Sequence, residues 1–422
     1  MSEPSSTPPE VPKPGLRDLL RNQNFRWLWL GQIISNYGDS LASLALLILI
    51  NKLTGSTAAL ATVAILMALP QVTIGMVAGV FVDRWNRKTT MIVSDMLRGV
   101  VVLGLVLVRN PEDVWILYAL TLVQATVGVF FSPARMALLA NIVEADELLA
   151  ANSIAQTSRI LFGLLGTASA GVIIGLWSDF AIIFVLDAIT FFVSAIFTWR
   201  VIAPASGGKQ APASVRVIYD ELMTGVRIIF TSRALTGILV SAAIVMLGLG
   251  AVNVLFVPLL INELGLPETW FGAIETAQVA GMVLGGTLTA ALAMRLQPTR
   301  IISLGLIVVG AGIGAIAAVT HVWHIMLLLF PIGLAMTPIN AAIATLAQIL
   351  VSDDLRGRIG AAMQTMVGAA NITSMALAGV LAEIIGVRNV FLLAGLLAAF
   401  AGIIAIPIFG KGSVSAAEVI EA

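Results

Sequence analysis

Cysteine is absent from the 422 residues. No disulfide can staple this fold, and the redox compartment stays undecided. Charge is scarce too: Asp, Glu, Lys and Arg make up 11% of the chain, and 23 acids balance 23 bases. A neutral chain offers no basic surface, so a nucleic-acid partner is excluded. No G-x-x-x-x-G-K-[ST] loop occurs, which disfavours ATP-driven work. No nucleophile–base pair emerges, so neither an enzyme nor a cofactor is implied. Only two histidines are present, His321 and His324 in an H-x-x-H turn. That spacing can bind metal, but no third ligand is evident and no metal site is assigned. A cleavable signal is missing as well, since residues 1–15 are rich in Ser and Pro.

What remains is apolar. Hydrophobic residues make up 59% of the chain, and the mean hydropathy is +1.01. A soluble domain of this length would carry more charge; a polytopic helical membrane protein would not. Runs of about 20 apolar residues, the length a spanning helix needs, recur along the chain. Their approximate extents are 27–50, 57–82, 89–108, 113–133, 152–175, 179–199, 234–261, 269–294, 299–320, 323–349, 360–385 and 389–409. The expected fold class is therefore all-α integral membrane, with twelve transmembrane helices. If the N-terminus is inside, the outer loops hold only Lys52, Arg109 and Arg388 among the bases. Such asymmetry predicts that both termini are cytoplasmic.

The polar break after residue 202 divides the spans six and six. The expected units are a cytoplasmic tail and interfacial helix (1–26), a six-helix bundle (27–202), a linker (203–233), a second six-helix bundle (234–410) and a tail (411–422). An internal repeat agrees with this division. Gln156-Thr157 and Ala170-Gly171-Val172 recur at the same separation as Gln364-Thr365 and Ala378-Gly379-Val380. Two related halves with a site between them are the design of a secondary transporter.

Between the second and third spans lies Gly79-Val80-Phe81-Val82-Asp83-Arg84-Trp85-Asn86-Arg87-Lys88. Gly79 would let a neighbouring helix approach closely. Asp83 could accept charge-assisted hydrogen bonds, so the cluster could latch helices on one membrane face. The stretch resembles the loop signature of the major facilitator superfamily, G-x-L-x-D-R-x-G-R-[KR], with Asn86 where the second Gly is usual. Trp29-Leu30-Gly31-Gln32, Gly38-Asp39, Ser132-Pro133-Ala134-Arg135 and Leu355-Arg356-Gly357-Arg358 extend the likeness to its drug-exporter branch, which includes macrolide-efflux proteins and the enterobactin exporter. The resemblance implies alternating access and, usually, export driven by inward proton flow. Its gating latch would comprise Gly79, Asp83, Arg84, Arg87, Lys88, Arg135, Arg356 and Arg358. Two departures stand out: Gln124 occupies the fourth span where many proton-coupled relatives have Arg, and Thr167 stands in the fifth span where Pro is expected.

Carboxylates at membrane depth cost about 2.5–3.5 kcal/mol each on insertion scales, so each needs a reason. Asp39, Asp187 and Glu275 fall in the middle-to-outer zone of their spans and are the candidates for proton coupling; Asp187 also reads as a structural acid. Asp95 and Arg98, three apart on the third span, share a face and could neutralise each other. Candidate substrate-binding residues are Asn36, Gln124, Phe130, Asn253, Phe256, Gln278, Met336, Asn340 and Asn371. The expected function is proton-coupled export of amphipathic or apolar small molecules by a monomer surrounded by lipid, in a bacterial inner membrane. The alternatives are a uniporter, an importer or a lysophospholipid flippase on the same fold.

Overall fold

The computed structural model describes residues 16–177, 179–202, 215–351 and 355–410. The tails 1–15 and 411–422, and residues 203–214 of the expected linker, lie outside them. The first half begins with α1 (Leu16–Arg21), α2 (Gln23–Thr54), α3 (Thr57–Thr73) and α4 (Gly75–Arg84). It continues with α5 (Arg87–Gly104), α6 (Val114–Ile142), α7 (Leu148–Trp177) and α8 (Phe180–Arg200). After α9 (Val215–Thr231) come α10 (Arg233–Pro258), α11 (Trp270–Arg295), α12 (Pro298–Ile316), α13 (Val322–Leu350), α14 (Arg356–Ile385) and α15 (Val387–Gly410). Among the described residues, eleven helices are long and apolar enough to cross a membrane, and α3 with α4 supplies a twelfth span bent by 61°. Two six-helix bundles result.

The helix boundaries follow from local chemistry. Asn22, Ser56, Asp179 and Ser232 each turn a side-chain oxygen onto the free N–H groups of the helix that follows. Gly55 closes α2 with a left-handed φ of 62°, a conformation open to a residue without Cβ. Asn86, the departure from the loop signature, caps α5 by accepting from Thr89 N at 3.0 Å. The 57–82 segment, expected as one span, breaks after Thr73. Pro70 removes a rung of its ladder and Gly75 starts α4, the two residue types that bend helices.

Within the first bundle α2 packs on α7 and α8, and α5 on α6 and α8; in the second, α12 packs on α15, α11 on α13 and α10 on α14. Val100, Leu107, Ile189, Leu327 and Phe400 remain exposed around the outside, a surface suited to acyl chains, since helices pair their backbone groups internally. The bundles meet chiefly through α3 against α14 and α7 against α11.

Candidate transport pathway between the two bundles

The two ends of this interface differ. At the end where α2 turns into α3, the halves are bonded together. Lys52 Nζ lies 2.7 Å from Glu268 Oε1, and Asn51 and Asn262 exchange side-chain hydrogen bonds of 3.0 and 3.1 Å. Ser56 donates to Glu383 at 2.5 Å, and the Thr57 hydroxyl donates to the Gly379 carbonyl at 2.8 Å. The repeat glycines explain the close approach. Gly171 of α7 lies against the Glu268 and Thr269 backbone, and Gly379 of α14 against Thr57, Ala58 and Ala61. A Cβ at either glycine would collide with the opposite half, so the repeated Ala-Gly-Val strings mark the two sides of one seal.

At the opposite end, which carries the basic loop, three glycines are unconfined. Nothing lies within 4 Å of a Cβ built on Gly79, Gly357 or Gly360. The close approach expected at Gly79 is not made here. Asp83 is exposed and makes no hydrogen bond or ion pair among the described residues. Arg87 instead ties the loop to α6, donating to Asn141 Oδ1 at 2.9 Å. Arg84 and Lys88 lie beside it, Arg84 exposed and Lys88 half-buried. Arg135 is half-buried on α6, within electrostatic range of Arg159. Arg358 pairs at 3.4 Å with Glu221 of α9, and the Arg356 side chain lies outside what is described.

Between seal and basic end, α2, α7 and α11 enclose a cavity of about 440 Å³. The first bundle contributes Asn36, Asp39 and Ser40 from α2, and Arg159, Ile160, Gly163 and Leu164 from α7. The second contributes Glu275, Gln278, Val279 and Met282 from α11. This volume falls in the range of small-molecule sites, and its wall is divided about evenly between polar and apolar groups. Asn36 and Gln278, of the expected binding residues, are in the wall. Gln124 lies one turn from Gly128, whose Cβ would sit 3.8 Å from Arg98 Nε, and its Oε1 has no hydrogen-bond partner among the described residues. Phe130 stacks on Trp85 with ring centroids 5.7 Å apart, near the basic end. Phe256 meets Phe271 edge-on and Met336 packs against the core. Asn253 and Asn340 are exposed, and Asn371 has a buried oxygen without a partner among the described residues.

Behind Asp39 the first bundle buries a charge cluster. Arg98 Nη2 donates to Asp39 Oδ1 at 2.5 Å. Its guanidinium also covers the Phe191 ring at 4.1 Å, a cation–π contact. The i,i+3 pairing of Asp95 with Arg98 gives way to tertiary bonds: Asp95 accepts from Ser194 at 2.7 Å on α8. Asp187 joins Thr190 on α8, and Gly38 leaves room for both, because a Cβ there would overlap them. Asp39, Asp95 and Asp187 all lie within electrostatic reach of the Arg98 guanidinium. Side-chain exposure separates their roles, 36% for Asp39 against 12% for Arg98, so Asp39 is the cluster's face toward the cavity. Sequence reasoning found Asp39 and Asp187 but missed Arg98 as their base. The available signal was depth, an Arg three turns into a span, where a local partner alone is a poor solution.

Residues 18–416 match the family described as transmembrane secretion effectors. The chain is similar to the uncharacterized MFS-type transporter YfiS of Bacillus subtilis (strain 168), 28% identical over 399 residues, covering 92% of this chain and 94% of that one. It is also similar to macrolide efflux protein A of Streptococcus pyogenes, 22% identical over 377 residues, covering 88% and 93% of the two chains. A crystal structure of a bacterial homologue of the human lysosomal transporter Spinster, inward-facing and unoccupied, shares the fold. Its TM-score is 0.74 at 15% identity, covering 94% of this chain and 99% of that one. With twelve apolar spans, a bonded seal at one end and a cavity between the halves, the chain belongs to the transmembrane secretion effector family of major facilitator transporters.

Proposed function

We propose that this transporter exports amphipathic small molecules in exchange for protons, with Asp39 carrying the proton. The observation that supports this reading is the Asp39–Arg98 pair, in which a carboxylate opens onto the cavity while three acids share one buried base. Protonating Asp39 removes its charge and weakens its hold on Arg98. Arg98 can then turn to Asp95 and Asp187, so proton occupancy and packing inside the bundle change together. The excess of bases at the end opposite the seal makes that end cytoplasmic by the positive-inside rule. The state described is then inward-open, ready to load substrate from the cytoplasm, and both termini are cytoplasmic. The chain works as a monomer in the bacterial inner membrane, and Asp83 bonds to the second bundle when the cavity opens outward.

The reading is tested in a bacterial host stripped of its own exporters, by measuring susceptibility to a panel of amphipathic antimicrobials. Expression should protect against a subset, and an uncoupler should abolish the protection. Protection that survives collapse of the proton gradient would overturn the coupling.

A further inference from the structure

Two charges in the cavity wall are left unused by the proton reading. Arg159 donates from Nε to Gln156 Oε1 at 3.2 Å on its own helix, and no carboxylate pairs with it among the described residues. A charge that does reach it has the same sign, Arg135 on α6. Across the cavity, Glu275 of α11 faces the Thr167 hydroxyl of α7 and pairs with no Lys or Arg among the described residues. Asp39, the third charge in the wall, is already held by Arg98. The cavity thus presents one uncompensated cation and one uncompensated anion, on opposite bundles.

Arg159 is exposed and Glu275 half-buried in the cavity wall, so both are accessible to a ligand, which can supply the opposite charges the protein withholds. Taking the cavity as the substrate site, as above, we propose that the transported class is a small zwitterion whose anionic group is bound by Arg159 and whose cationic group is bound by Glu275. The planar guanidinium suits a carboxylate or phosphate held by two parallel bonds, and Arg135 adds to the positive field. Ile160 and Leu164 from one half, with Val279 and Met282 from the other, leave room for an apolar substituent. Because Arg159 and Glu275 belong to different bundles, only a molecule bearing both charges is held by both at once. A singly charged molecule engages one bundle and gives the other no reason to move. Two sources share this chemistry, a free amino-acid- or peptide-like solute and a zwitterionic lipid headgroup.

Binding to the purified full chain in detergent tests the assignment, because it needs neither a gradient nor turnover. Thermal shift and calorimetry would compare the dipeptide Phe-Leu with its N-acetyl form, which keeps only the anion, and its C-terminal amide, which keeps only the cation. Glycerophosphocholine serves as the headgroup arm. The expected result is that a zwitterion, either the dipeptide or the headgroup, binds about tenfold or more tightly than singly charged forms. Whichever binds identifies the source. Arg159→Gln should bring Phe-Leu down to the level of its amide, and Glu275→Gln should bring it down to the N-acetyl form. Arg159→Lys should restore part of the loss, and unliganded melting temperatures report whether each variant folds. Equal binding of capped and uncapped forms, discrimination unchanged by both substitutions, or binding of none of the four would overturn the proposal. Gradient-driven export of a neutral compound would then leave the proton reading standing by itself.

Discussion

Replacing Gly379 with Leu should drive the transporter out of the state described here. A Cβ at that position overlaps Ala61 and comes within 3.0 Å of the Thr57 carbonyl and 3.3 Å of Ala58 Cα, so the halves must part at the seal. Parting them breaks the buried Thr57–Gly379 bond and the bonds from Ser56 Oγ and Ala58 N to Glu383. The bonds to Glu383 are exposed and screened by water, so the buried neutral Thr57–Gly379 bond sets the scale, roughly 0.5–1.5 kcal/mol net. A change of that size moves a two-state population by about 2- to 12-fold. The cysteine-free chain provides a clean background for the readout. Ser40→Cys places a thiol in the cavity wall, and an impermeant maleimide applied to the sealed face reports access. Labelling should be at least about twofold faster with Gly379→Leu than without it. Gly360→Leu is the control, since that glycine faces open space at the basic end, and it should not speed labelling from the sealed face. Equal labelling of Gly379→Leu and its parent would refute the assignment of this contact as a gate.

Asp83→Asn should leave the melting temperature of the state described here unchanged, since Asp83 makes no bond in it among the described residues. The same change should slow closure of the basic end, measured as persistent maleimide labelling from that side. Arg98→Gln should destabilise the protein by about 3–5 kcal/mol, read in denaturant or thermal melts, because it strands the carboxylates that share this buried base. The Lys52–Glu268 pair makes the seal sensitive to acid. Burial acts to raise the Glu268 pKa, but hydrogen bonding and the Lys52 charge prevail and hold it below its ordinary 4.5. A depressed pKa means that its contribution is complete above pH 4.5 and is lost as pH falls through the lower folded value. The distance between spin labels attached across the seal should increase in that acid range, and Lys52→Met should remove the dependence.

The spans were legible because hydropathy and length alone define a helix in lipid, and all twelve expected segments match helices. The break at Thr73 was not, although Pro70 and Gly75 were visible, since many spans carry such residues and stay straight when neighbours support them. The glycines of the internal repeat were legible as a pattern without their meaning. Only the tertiary fold shows that Gly171 and Gly379 occupy matching sides of one seal. The candidate site divides similarly. Asp39 could be found from its depth, whereas Arg98, 59 positions away, becomes its partner only when α5 lies beside α2. Spacing favoured Asp95 for that role, but Ser194 on α8 offers it a hydrogen bond and turns it elsewhere. Arg159 lies in the cavity wall because α7 lines the interface, a placement that only the tertiary fold shows.

Proton-coupled export through this cavity stands or falls on Asp39. The decisive measurement takes a compound identified by the susceptibility panel and follows it into inverted membrane vesicles under an imposed pH gradient. The wild-type chain should accumulate the compound uphill and dissipate the gradient as it does so. Asp39→Asn should bind the compound and equilibrate it downhill at near wild-type rates, yet fail to accumulate it. Uphill accumulation by Asp39→Asn, with proton flux intact, would contradict the assignment; loss of uphill transport in Glu275→Gln alone, with substrate binding and downhill equilibration kept, would move the proton site to α11.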